Sequence, residues 1–377
     1  MTVDPLALAQ SLIRCESVTP ADGGAQSLLA DVLTGLGFTV HHHRFGDGSE
    51  DGPVHNFFAT RGHGSPHLAF AGHTDVVPVG DRSAWSADPF GAEVRNGWLI
   101  GRGAVDMKGA IAAFVAAVSR QTDLPGTLSF IITGDEEGPA THGTDELLRW
   151  METQGHAPDA CIVGEPTSVQ RLGDMMKVGR RGSLNCWITI HGAQGHVAYP
   201  ARADNPVTRL IAILGDLQAR VFDDAHSQFD ASNLEIVDLE VGNPATNVIP
   251  AKASARLNIR FNDRQHGADL EAWLRDVVAA HAPAHDVKVR ISGEAFLTEP
   301  GPLSATIAAA VKAVTGLDPE ASTTGGTSDA RFIRRVCPVV EFGLPGQSMH
   351  KVDEIVRVAD IEALSRIYAE ILRLWYR

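Results

Sequence analysis

Four short runs of this chain, His67–Ala71, Leu128–Thr133, Ala160–Val163 and Val339–Phe342, are almost continuously apolar. A strand with one face in water alternates apolar and polar residues. An uninterrupted run instead marks a strand covered on both faces. Between these runs lie helical stretches, Gly109–Gln121, Glu146–Gln154 and Leu303–Thr315, and Ala359–Arg377 reads as a terminal amphipathic helix. Strands alternating with helices imply an α/β fold, a large domain with a mostly parallel central sheet flanked by helices.

The middle of the chain has another pattern. Leu184–Ile190 reads as a strand, and Asn205–Arg220 as a helix with Asn205 as its N-cap and Pro206 in its first turn. Leu234–Val241 and Ala253–Phe261 read as strands, Ala268–His281 as a helix and Val287–Ile291 as a last strand. In Ala253–Phe261, Leu257, Ile259 and Phe261 alternate with Asn258, Arg260 and Asn262. The order β-α-β-β-α-β makes a small α+β domain. It spans 182–293 and splits the large domain into segments 1–181 and 294–377. A length of 377 residues agrees with about two domains.

Composition narrows the function. The chain carries 32 Lys plus Arg against 46 Asp plus Glu, a net charge of -14. Nucleic-acid or anionic-membrane binding needs a basic surface, so neither partner is expected. A few local arginines still suffice for a small anionic substrate. Cys15, Cys161, Cys186 and Cys337 form no C-x-x-C pair, which reads as scattered thiols in a reducing compartment. The first residues lack a basic n-region and a long apolar core behind it, and the longest uniformly apolar run, Ala110–Val118, is too short to span a bilayer. The expected location is the cytoplasm. His41–His43 looks like a metal tract, but it reads rather as an exposed strand end, since three consecutive histidines rarely hold an ordered site.

Each apolar run leads into residues that can carry chemistry. His67–Ala71 runs into Gly72-His73-Thr74-Asp75, and Leu128–Thr133 into Gly134-Asp135-Glu136-Glu137. Ala160–Val163 runs into Gly164-Glu165, and Val339–Phe342 leads through a Gly/Pro loop to His350. Asp106 falls just before a helix. Open α/β sheets bind ligands at the carboxyl ends of their strands. One site would therefore collect His73, Asp75, Asp106, Glu136, Glu137, Glu165 and His350. Clustered carboxylates repel unless a cation neutralises them, and nitrogen and oxygen donors without thiolates suit a catalytic divalent ion. Five ligands with one bridging carboxylate fit two metals about 3.5–4 Å apart.

GHTDVVP (72–78), GRGAVDMKG (101–109), TGDEEG (133–138), GEPTS (164–168), GGTSD (325–329) and MHKVDE (349–354), in this order, resemble the co-catalytic dizinc family of aminoacylases, deacylases and carboxypeptidases. GRGAVDMKG with GEPTS, GRRGSL (179–184) and GGTSDARFI (325–333) resembles its desuccinylase branch. The resemblance implies a catalytic domain interrupted by a lid and dimerisation domain. It implies hydrolysis of N-succinyl-L,L-2,6-diaminopimelate, in lysine and diaminopimelate biosynthesis. It implies two Zn²⁺ per chain, with Co²⁺ able to substitute at one site.

By the same resemblance, His73 and Glu165 hold one zinc, Glu137 and His350 the other, and Asp106 bridges. Asp75 orients His73, and Glu136 is the general base. His196, in GAQGHVAYP (192–200), is a catalytic donor supplied by the partner subunit of a homodimer. Arg181, Tyr199, Asn247, Arg260, Gly326 and Thr327 contact substrate. The loop Gly343–Ser348 departs from the pattern, lacking an asparagine that some relatives place before the MH pair. An acetylornithine-type deacetylation, or hydrolysis of another N-acyl amino acid, is the alternative within the family. A dinucleotide-binding oxidoreductase is disfavoured, because the next glycine its fingerprint needs after Gly101 and Gly103 falls at Asp106. A non-catalytic metal-binding protein would have no use for Glu136.

Overall fold

The continuous apolar runs become fully buried strands. In this computed structural model, which describes residues 2–121 and 124–377, they lie in one eight-stranded sheet. Its order is Thr39–Phe45, Val54–Gly62, Thr127–Thr133, His67–His73, Ala160–Val163, Val339–Glu341, Met175–Lys177, Glu320–Ser322. The centre is parallel: His67–His73 pairs in parallel with Thr127–Thr133 and Ala160–Val163, and Ala160–Val163 with Val339–Glu341. Antiparallel pairs join Thr39–Phe45 and Val54–Gly62 to one side and Met175–Lys177 to the other.

Two units partition the chain. The first comprises Met1–Val178, Thr298–Ser322 and Ser328–Arg377. At its heart is the helix Lys108–Val118, buried along its whole length against the helices Pro5–Ile13 and Val358–Trp375. Phe70 stacks on Phe114 with ring centroids 4.1 Å apart, and Phe130 and Tyr368 close edge-on around them. Each such ring contributes about 1.5–3 kcal/mol through burial. Lys108 sits in the same core, its Nζ donating to the Cys15 carbonyl at 2.9 Å, and burial pushes its pKa down to about 8.

The second unit comprises Gly179–Leu297 and Thr323–Thr327. Its antiparallel sheet has the order Asn233–Glu240, Lys252–Phe261, Gly182–His191, His285–Gly293. Helices Pro206–Gln218 and Gly267–His281 share a core with it, where Leu184, Ile188, Leu257 and Ile259 meet Leu210, Ile213, Leu270 and Leu274. Asn205 caps the first helix, its Oδ1 accepting from Val207 N–H at 3.0 Å. The unit is wider than the expected 182–293. Gly179–Arg180 pairs with Phe296–Leu297, which adds residues at both ends, and Thr323–Thr327 joins from the far side of the chain.

His41–His43 lies inside the edge strand Thr39–Phe45. His41 and His43 pack against Trp150, with centroids 5.3 and 4.2 Å away, and neither belongs to the metal-ligand groupings found among the described residues. Among the described residues no helix is long and apolar enough to cross a membrane.

Candidate metal centre

Parallel register gathers the site. His73 ends its strand opposite Thr133, so Glu136 and Glu137 emerge beside it. Ala71 faces Val163, which places Glu165 on the other flank. Asp106 enters from the turn ahead of the buried helix. Gly103 takes a left-handed φ of 86°, and a Cβ on Gly109 would lie 2.3 Å from the Ala104 carbonyl oxygen, so the motif's glycines let this turn close on the helix start.

One carboxylate stands between two imidazoles. Asp106 Oδ1 lies 3.2 Å from His73 Nε2, and its Oδ2 lies 3.2 Å from His350 Nε2. Glu165 Oε1 is 3.6 Å from His73 Nε2, and Glu137 Oε1 is 2.9 Å from His350 Nε2. Two three-donor sets result, His73–Asp106–Glu165 and Asp106–Glu137–His350, each with its donor atoms within 4.8 Å of one another. Glu165 Oε1 is buried with no hydrogen-bond partner, a costly state that a bound cation would relieve. The residues therefore fit two divalent cations sharing Asp106.

The charges respond to this crowding. Burial, with the charges of Asp106 and Glu136, holds the Glu165 carboxyl well above its ordinary range. Burial also lifts Glu136, helped by Asp329 and Glu137 and opposed by His73. For Asp106, burial opposes ionisation, but the hydrogen bonds with His350 and His73 outweigh it and hold the pKa below the usual range. Asp106 and Glu137 together raise His350 to about 10. His73 loses proton affinity to burial and regains more from Asp106, Glu165 and Asp75, ending well above its ordinary value.

Asp75 meets His73 mainly through its main chain. His73 Nδ1 donates to the main-chain carbonyl of Asp75 at 2.9 Å, while the carboxylate Oδ1 stands at 3.6 Å. That carboxylate accepts instead from the N–H groups of Glu136 and Glu137, at 3.3 and 3.0 Å. Asp75 thus fixes His73 through its backbone, leaving Nε2 toward the acids, and fixes the acidic loop through its side chain. Burial pushes its pKa up to about 6.

The remaining candidates lie in the second unit. Arg181 donates to Asn233 Oδ1 and the Ala231 carbonyl, both at 3.2 Å, and Arg260 donates to Thr327 Oγ1 at 3.1 Å. The two guanidiniums are close enough that Arg181, after burial, lowers the Arg260 pKa. Gly326 adjoins Thr327 and is exposed. Arg180, next to Arg181, is buried and donates to the Thr324 carbonyl. His196 lies on the short strand Gly195–His196 paired with Val248–Ile249, which brings Asn247 and Tyr199 alongside it. Its Nδ1 accepts from Ala198 N–H at 3.0 Å, so Nε2 carries the proton and is free to donate. In the first unit, the loop beginning at Gly343 is tied down by the GEPTS segment, with Ser168 Oγ donating to the Gly343 carbonyl and Thr167 Oγ1 accepting from Gly343 N–H.

Four further residues carry no sequence signal that singles them out. Asp135 accepts from the N–H groups of Thr141 and His142, Asp329 adds charge beside Glu136, and Arg102 and Glu354 form a buried ion pair at 2.9 Å. Asp135, Arg102, Asp329 and Glu354 all lie inside the motifs, but no spacing tells which carboxylates face the ligand and which hold backbone.

The chain is similar to known proteins. A succinyl-diaminopimelate desuccinylase of Rhizorhabdus wittichii is 60% identical over 371 residues, covering 98% of each chain. A metallo-carboxypeptidase of Sulfolobus solfataricus superposes with a TM-score of 0.83 at 17% identity, covering 99% of each chain. A dinuclear metal-binding peptidase of Bacillus subtilis superposes at 0.69 with 15% identity, covering 98% of this chain and 96% of that one. The sequence pattern of the peptidase family M20/M25/M40 matches residues 69–374, and the chain belongs to that family.

Proposed function

We propose that the chain hydrolyses the succinyl amide of N-succinyl-L,L-2,6-diaminopimelate, giving succinate and L,L-diaminopimelate in lysine and diaminopimelate biosynthesis. The observation that carries the chemistry is Asp106, with one oxygen toward His73 and the other toward His350. The substrate is drawn from the 60% identical desuccinylase. His73 with Glu165, and Glu137 with His350, sharing Asp106, would hold two divalent cations, zinc with cobalt able to replace one, and these would supply Lewis acidity for amide hydrolysis.

The chain's own groups do the rest. Glu137 and Glu136 diverge as neighbours, so Glu137 turns to His350 while Glu136 stays free to take a proton from the attacking water and hand it to the leaving amine. His196 Nε2–H donates to the developing oxyanion from the partner subunit of a homodimer. Arg181 and Arg260 present paired donors suited to the substrate's carboxylates, with Thr327 and Gly326 beside Arg260, and Asn247 and Tyr199 beside His196, as further substrate contacts. Dimerisation is supported by the edge strand Asn233–Glu240, whose Val237 and Leu239 are 52% and 61% exposed, and by Ile211, 66% exposed, on the helix of the same unit. Four free cysteines, three of them buried, support a cytoplasmic setting.

The decisive assay compares N-succinyl-diaminopimelate, N-acetylornithine and hippurate-type amides side by side. We expect kcat/KM for the succinyl substrate to exceed the others by about 10²-fold or more, because a site built for a second carboxylate leaves donors unpaired when it is missing. Equal or better turnover of acetylornithine would overturn the proposal.

A further inference from the structure

We infer that Glu354 is a positioning residue that locks Asp106 and His350 into mutual register, and so governs how the shared carboxylate holds its second cation. This rests on the two-cation reading above. Glu354 is fully buried. Its Oε1 accepts from the N–H groups of Val105 and Asp106, at 2.8 and 3.1 Å. Its Oε2 accepts from Arg102 Nη1 at 2.9 Å, and its main-chain carbonyl accepts from Gly101 N–H at 3.0 Å. One side chain thus grips the backbone of the bridging residue itself.

Glu354 also ends the loop that carries His350, four positions on. That loop is closely constrained. His350 and Asp353 take left-handed φ values of 62° and 55°, which non-glycine residues keep only where their surroundings impose them. Ser348 Oγ both donates to the Ile355 carbonyl and accepts from Ile355 N–H, and Asp353 Oδ1 accepts from Ser86 N–H at 2.8 Å. Arg102 is itself seated over the Trp85 ring, 5.2 Å from its centroid. The loops bearing Asp106 and His350 are therefore joined through one carboxylate behind the ligands. A buried ion pair is a poor device for stability alone, since an apolar pair of the same volume serves as well. Its bonds to the two amides around Asp106 give it a purpose that an apolar pair would not meet.

The test titrates Co²⁺ into metal-free wild type, Glu354→Ala, Glu354→Gln and Leu33→Ala. Leu33 is a core residue of the helix Ala25–Gly35 and controls for lost stability. Visible absorption tracks each binding step, electron paramagnetic resonance tracks magnetic coupling between the ions, and circular dichroism checks folding. The wild type should take two ions with coupled signals. Glu354→Ala should bind the second ion at least tenfold more weakly and lose coupling. Glu354→Gln, which keeps an oxygen for both amides, should recover most of it, and Leu33→Ala should match the wild type. A folded Glu354→Ala chain with wild-type affinity and coupling, or a Leu33→Ala chain equally impaired, would overturn the inference alone. A wild type that took fewer than two ions would overturn the two-cation reading and the inference with it.

Discussion

Glu136 and Glu137 are adjacent carboxylates with separate work. Glu137 is committed to His350 at 2.9 Å, whereas Glu136 keeps part of its surface open and has its backbone N–H anchored by Asp75. Glu136→Gln should therefore leave both ligand sets intact and remove only the base. We expect kcat to fall by about 10²–10⁴-fold with an unchanged metal content, read by steady-state kinetics beside elemental analysis. Substantial residual turnover would remove Glu136 from that role. At this scale His73, Glu137, Glu165 and His350 were legible, because each comes after a continuous apolar run whose strand must end at the sheet's rim. The backbone bond from Asp75 to His73 was not legible, since a carboxylate and its own carbonyl share one position in sequence. Nor was Glu354, whose partners are main-chain amides some 250 residues away in the chain.

At the scale of elements, continuous apolar runs marked the sheet's parallel centre, and alternation marked the middle strands. The antiparallel flank was harder to read, because Val54–Gly62 mixes buried Phe57 and Phe58 with exposed His55 and half-buried Arg61 and fits neither pattern. Strand pairing also makes a pH prediction. His67, at the start of its strand, bonds through Nε2 to Ser129 Oγ of the adjacent strand at 2.8 Å, and burial lowers its pKa below 6.5. The native ring stays neutral where the unfolded chain's ring takes a proton. Stability from this group is therefore complete above about pH 6.5 and declines as the pH falls toward the lowered native value, by up to about 1.4 kcal/mol per pH unit. Urea denaturation between pH 7.5 and 5 should show a shallower acid loss in His67→Gln than in wild type. Identical slopes would refute the assignment.

For the whole molecule, the chain leaves the first unit at Gly179, builds the second, and returns at Thr298, so the site begun at His73 is finished only by His350. A break in pattern was legible near residue 182, although the sequence pattern puts the ends of the inserted stretch at 182 and 293 where the structure has Gly179 and Leu297. The transfer of Thr323–Thr327 to the second unit was not legible, because five loop residues carry no periodicity. We expect sedimentation equilibrium to find a dimer, and Leu239→Asp with Ile211→Asp to yield monomers with impaired kcat. A stable monomer with full kcat would exclude a donor from a partner. Two donor sets sharing Asp106 imply a two-ion centre, and metal stoichiometry tests it most directly. Dialysis of the metal-free chain against saturating zinc, with elemental analysis of the product, should give two ions per wild-type chain. One ion or fewer at saturation would contradict it.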